Sequence, residues 1–145
     1  MKKHDLQNKA TKGSKLLEVA NKIGLRDFGL FIRTDKLTSK QGIINLTDNY
    51  KNGTHFVAFF DNNYFDSFCA EPPSIISDQL AEKTKDNLND NCSASLYCEC
   101  YISSTPIQNI NDSNCGSYCL YFLDLMQNKK MSFQRAIVKL ICEAN

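Results

Sequence analysis

The body of this chain holds one histidine, His55, because the other, His4, lies in a lysine-rich opening stretch. A lone histidine on a strand is ordinarily a structural residue with both ring nitrogens satisfied. Two neighbouring features argue for chemistry instead. The first is HFVAFF, residues 55 to 60, followed by Asp61-Asn62-Asn63 and then YFDSF, residues 64 to 68. Two aromatic, β-favouring runs around an Asp/Asn turn predict a hairpin. With an even number of turn residues, whether Asp61-Asn62 or Asn62-Asn63 is central, strand alternation puts His55 and Asp66 on one face as cross-strand or diagonal neighbours. A carboxylate there fixes the imidazole tautomer and leaves the second nitrogen as a base. An odd loop places the pair on opposite faces unless a bulge intervenes, and Asp66 then only solvates its end of the strand.

The second feature is SNCGSYCLYFLDL, residues 113 to 125, where polar capping groups at Asp112, Ser113 and Asn114 precede a long apolar run that begins at Cys115. A thiol at a helix N-terminus sits in the positive end of the helix dipole, which favours the thiolate. With His55 beside it as imidazolium, Cys115 becomes a nucleophile at neutral pH. Gly116 leaves the flank of that nucleophile open to substrate backbone. Gln108, a short loop upstream, offers a side-chain amide to an oxyanion, and the Cys115 backbone N–H is the natural second donor. Cys119 and Cys142 fall at core-facing positions inside helices and read as inert.

These residues need a scaffold, and the chain is long enough to build one. At 145 residues it makes one domain with a real core, its 42% hydrophobic and 23% charged composition is ordinary for a globular protein, and a net charge of +1 gives no general attraction to nucleic acid or membrane. No apolar run approaches the roughly 18 residues that cross a bilayer. The opening MKKHDLQNKATKGSK has no apolar h-region, so the seven cysteines, an odd number, are expected to be free thiols in a reducing compartment.

Along the chain, residues 1 to 13 carry Lys2, Lys3, Lys9 and Lys12 with little to bury and read as a mobile basic tail, with residues 14 to 145 forming a single domain. Ser14 caps a helix through Asn21, and Gly24 suits the left-handed position after it. Phe28 to Ile32 and Gly42 to Leu46 predict strands. Pro72-Pro73 ends the hairpin and opens an amphipathic helix over Ser74 to Lys83. Leu96 to Ile102 predicts a further strand. Cys115 to Asn128 is apolar on nearly every face and predicts a buried helix, and Ser132 caps a last helix whose Phe133, Ala136, Ile137, Leu140 and Ile141 face the core. The fold class is therefore α+β, a mixed sheet packed against a central buried helix.

In order and wording, GTHFVAFF (53 to 60), YFDSFCAEPP (64 to 73), PIQ (106 to 108) and NCGSYCLYFL (114 to 123) resemble the adenovirus-type cysteine proteases, adenain and its relatives in large DNA viruses, virophages and Polinton-like elements. FGLFIRTDKL (28 to 37) and GIINL (42 to 46) resemble the lead-in to that family's histidine strand. The likeness covers most of the chain from about residue 25. A more distant likeness is to the ubiquitin-like-protein proteases, which share the catalytic order His, Asp, Gln, Cys. The resemblance implies an adenain-like fold, His55 as base, Asp66 as orienting carboxylate, Gln108 as oxyanion donor and Cys115 as nucleophile. It also implies cleavage of viral structural precursors near small residues during virion maturation, by a monomer in the host cytoplasm or nucleus and in the virion. No cofactor is required for the chemistry; an activating peptide or nucleic acid comes from the resemblance alone, the latter through the basic tail. Two positions depart from the family: Phe56 stands where relatives usually have the groove-lining tryptophan, and Cys69 where they carry glycine.

Two other readings compete. One is removal of ubiquitin-like modifiers, against which the short chain leaves no added recognition domain. The other is a zinc module from Cys92, Cys98 and Cys100 with Cys69 as fourth ligand, against which the Cys-x5-Cys-x-Cys spacing lacks paired C-x2-C knuckles. The separations Cys98-x-Cys100 and Cys115-x3-Cys119 also lack the C-x-x-C of a disulfide oxidoreductase.

Overall fold

A computed structural model describes residues 13–46, 55–85 and 115–144, and within them the predicted elements form in the predicted order. Helix α1, Gly13–Lys22, buries Leu16 and Ala20. It ends where Gly24 takes a φ of 77°, with Leu25 N–H donating to the Ala20 carbonyl at 3.0 Å. That left-handed ending is the one a glycine permits without strain.

Strands β1, Phe28–Ile32, and β2, Gln41–Asn45, pair in parallel. Parallel neighbours oblige the connection to return the whole strand length, about 17 Å for five residues, which residues 33 to 40 span at up to ~26 Å. Helix α2, Ser74–Lys85, secures that return. Gln79 Oε1 accepts from Leu37 N–H at 2.8 Å, Gln79 Nε2 donates to the Asp35 carbonyl at 3.0 Å, and Lys83 Nζ donates to the Ser39 carbonyl at 2.8 Å.

Strand β3, Phe56–Phe60, runs antiparallel to β2, and β4, Asn63–Phe65, runs antiparallel to β3. Phe60 pairs with Asn63, so Asp61-Asn62 is the turn centre and the loop is even. The second hairpin strand stops three residues short of the expected Phe68. The side chain of Asp66 is the reason: Oδ1 accepts from Phe68 N–H at 2.8 Å while the Asp66 carbonyl accepts from Cys69 N–H at 2.9 Å. An aspartate that bonds the backbone two residues on closes a turn and draws those groups away from a ladder.

The sheet order is β1-β2-β3-β4, and helices cover both faces. On one side Ile43, Phe56, Ala58 and Phe65 pack against α3, Cys115–Gln127, with Leu16 of α1 and Ala136, Ile137 and Leu140 of α4, Phe133–Ala144. On the other, Ile44, Val57, Phe59 and Tyr64 meet Ile76 and Leu80 of α2. Helix α3 is buried from Cys115 through Met126, as an apolar surface on every side demands. The protein is thus α+β, with a mixed four-stranded sheet and four helices among the described residues. The predicted strand Leu96 to Ile102 and residues 1 to 12 lie outside them, and Gly13, assigned to the tail from sequence, belongs to α1.

Candidate active site

The site forms where β4 gives out. In an antiparallel ladder, successive residues turn their N–H and C=O groups to opposite neighbours. The His55 carbonyl accepts from Leu46 N–H at 2.9 Å, on the β2 side, so Phe56 turns its N–H to the β4 side. Because β4 ends at Phe65, no strand residue lies opposite Phe56. The Sγ of Cys115 takes the bond instead, at 3.3 Å. The first residue of α3 is therefore set against the open edge of β3, in line with the sheet.

The far end of α3 holds the helix in this position. Gln127 Oε1 accepts from Arg26 N–H at 2.7 Å and from Gln41 Nε2 at 2.6 Å, and Gln127 Nε2 donates to the Gly24 carbonyl at 2.9 Å. Asn128 Nδ2 donates to the Ile23 carbonyl at 3.0 Å. Near the front, the Phe65 and Phe122 rings stack at 4.9 Å and bind the end of β4 to the middle of α3.

Within this frame His55 Nε2 bonds Asp66 Oδ1 at 2.9 Å. The even turn makes the two residues diagonal neighbours across the hairpin, as its alternation requires. Asp66 is 1% exposed, and its Oδ1 is shared between the imidazole and Phe68 N–H. Cys115 acts on the same imidazole. Burial opposes charge on His55, but hydrogen bonds with Asp66 and Cys115, reinforced by the charges of both, outweigh it and raise its pKa from 6.5 to about 9. The ring is held as imidazolium at neutral pH, between a carboxylate and a sulfur.

One turn further along α3, Cys119 has the opposite character. It is fully buried, and burial, followed by the charges of Cys115 and Asp66, pushes its thiol well above the ordinary range. Cys119 is an inert core residue, as read from sequence. Cys142 is free but exposed, which corrects its expected place in the core: the buried stripe of α4 runs through Ala136, Ile137 and Leu140.

Other expectations also change. Gly116 does not leave an open flank: it is buried, and a Cβ there would come within 2.8 Å of the Leu16 side chain and 3.4 Å of the Phe56 ring. Phe56, 6% exposed, lies in the same core rather than along an open groove wall. The glycine is needed so that α1 and β3 can close on the start of α3. Cys69 is disulfide-bonded, which corrects the expectation of seven free thiols and removes its sulfur from the zinc set. Its φ of 63° explains why a glycine suits this position, since the turn enters the left-handed region there. Gln108, Cys92, Cys98 and Cys100 lie outside the described residues. Among the described residues no cluster of ligating side chains could hold a metal ion, and no helix is long and apolar enough to cross a membrane.

Sequence reasoning missed two contributors. Phe56 acts through its backbone N–H, which no residue type reveals. Phe68 was assigned to a strand, yet its ring stacks on His55, with centroids 4.8 Å apart and planes 27° apart. Comparison with models of known protein families, with characterised proteins and with solved structures finds no match to this chain.

Proposed function

We propose that this protein is a cysteine endopeptidase of the adenain type, with an adenain-like fold, that cleaves viral structural precursors during virion maturation. The observation that carries the reading is the single imidazole of the protein body held between a buried carboxylate, at 2.9 Å, and the cysteine that begins a buried helix. Metal-free acyl transfer uses this set of groups in this arrangement.

In this reading Cys115 Sγ attacks the scissile carbonyl carbon, and the displaced electron pair settles on the oxygen. The Cys115 backbone N–H and the Gln108 amide hold that oxyanion. Collapse of the tetrahedral species expels the amine, which takes its proton from the His55 imidazolium, and leaves a thioester on Cys115. His55, now neutral, removes a proton from water as it attacks the thioester; the acid product departs and the thiolate–imidazolium pair returns. Asp66 keeps Nε2 occupied, so that the buried Nδ1 is the nitrogen that exchanges protons. The substrates are protein precursors met in an infected cell's cytoplasm or nucleus and in the virion, and the working form is a monomer.

The test is incubation of wild-type and Cys115→Ala protein with capsid precursor proteins of DNA viruses, read by mass spectrometry of new termini. Cleavage at small residues by wild type alone is the expected result. Equal cleavage by both, or none with any precursor, overturns the proposal.

A further inference from the structure

The imidazole's hydrogen bonds with Asp66 and Cys115 hold it by its edge. Phe68 meets it on its face. Its half-buried ring stacks on the His55 ring at 4.8 Å, whereas its own N–H donates to the Asp66 oxygen that accepts from Nε2. One residue therefore contacts both members of the pair, by its ring and by its backbone. The turn that places it is closed by Cys69 N–H on the Asp66 carbonyl at 2.9 Å. The His55 side chain is 25% exposed against 1% for Asp66, so the imidazole is the more solvent-accessible of the two.

We infer that Phe68 is a positioning residue for the base, a stacked platform that fixes the plane of the imidazole and favours its charged form. The inference rests on the protease reading and deepens it. An aromatic face presents negative charge density, so a cation within about 6 Å of its centroid is stabilised. Among the described residues the charged groups that act on His55 are Asp66, from the turn after β4, and Cys115, from α3. Both hydrogen-bond with the imidazole; Phe68 adds a third contribution, from the ring's face. That contribution can be separated from the other two, because the Phe68 ring can be altered without touching either.

The chain has two histidines, so ring NMR of the full-length protein, with His4→Gln to assign the signals, follows His55 alone. Wild-type His55 is expected to titrate near 9. Phe68→Leu, and pentafluorophenylalanine at position 68, which keeps the ring's size and removes its negative face, should each lower that value by about half a unit to one unit. Phe68→Tyr should stay within about 0.2 of wild type. Should Phe68→Leu fail to fold, the fluorinated ring decides. A folded fluorinated protein in which His55 titrates as in wild type overturns the electrostatic role. Failure of the protease reading looks different: wild-type His55 then titrates near 6.5 and iodoacetamide does not select Cys115.

Discussion

The two ends of helix α3 are held by different chemistry. At its C-terminal end Gln127 and Asn128 bind Gly24, Ile23, Arg26 and Gln41 through neutral amides and backbone groups. At its N-terminal end Cys115 meets a backbone N–H and an imidazole that carries charge. Neutral amides hold backbone groups without demanding a charge, and three of these four bonds lie exposed to solvent, so they suit an end whose task is to stay still. Titratable groups in partial burial cost more to hold but can change protonation state, which is what an acyl-transfer site requires. Cys119 marks how short the chemical end is: one turn inside the helix, the same residue type is fully buried with its thiol pushed up.

The sharpest way to break this contrast is to remove the chemical end. Cys115→Ala and His55→Ala should each abolish turnover, and limiting iodoacetamide should label Cys115 ahead of Cys119 and Cys142 in wild type but lose that preference in His55→Ala, read by peptide mapping. Preferential labelling of Cys142 in wild type would remove the distinction between the two ends. Gln108→Ala should leave a residual rate, down by about 100-fold to 1000-fold for one oxyanion donor.

Asp66→Asn tests the partner of the base. It should leave the protein folded, reduce turnover, and move the His55 titration down from about 9, because a neutral amide withdraws the Asp66 charge. Unchanged turnover would mean that Asp66 only shapes its turn.

The amide end answers to a different measurement. Gln127→Ala removes bonds to Arg26, Gln41 and Gly24 and should cost about 2 kcal/mol in urea unfolding, at roughly 1 kcal/mol per net hydrogen bond with partial rescue by water. His55 should titrate as in wild type, since no charge near it has changed. A large shift would show that the clamp also sets the site.

A further test of the charged end concerns pH. His55 has a folded pKa near 9, above its ordinary 6.5. Its contribution to stability is therefore complete below pH 6.5 and lost as pH rises through about 9. Unfolding free energy should decline across that window in wild type and decline less in His55→Gln, whose side chain does not titrate.

Much of the fold was legible because its signals are local. Leu16 and Ala20 at helical spacing with Gly24 after them, the apolar circumference of Cys115 to Met126, and aromatic runs around Asp61-Asn62 each declare an element within a dozen residues. The end of β4 was not legible, because YFDSF alternates like a strand and only the Asp66 carboxylate, bonding Phe68 N–H, turns the chain away. From that early stop follow the open N–H of Phe56 and the stacking of Phe68 on His55.

By itself the sequence determined which groups were available: one histidine in the body, an aspartate an even turn away, and a cysteine heading an apolar helix. Tertiary structure decided how they meet. It set Cys115 in line with the edge of β3, filled the flank of Gly116 with Leu16, and placed Cys69 in a disulfide. The reason is physical: periodicity specifies which face of an element is apolar, whereas the approach of one element's end to another's edge depends on packing and hydrogen bonds between residues far apart in the chain.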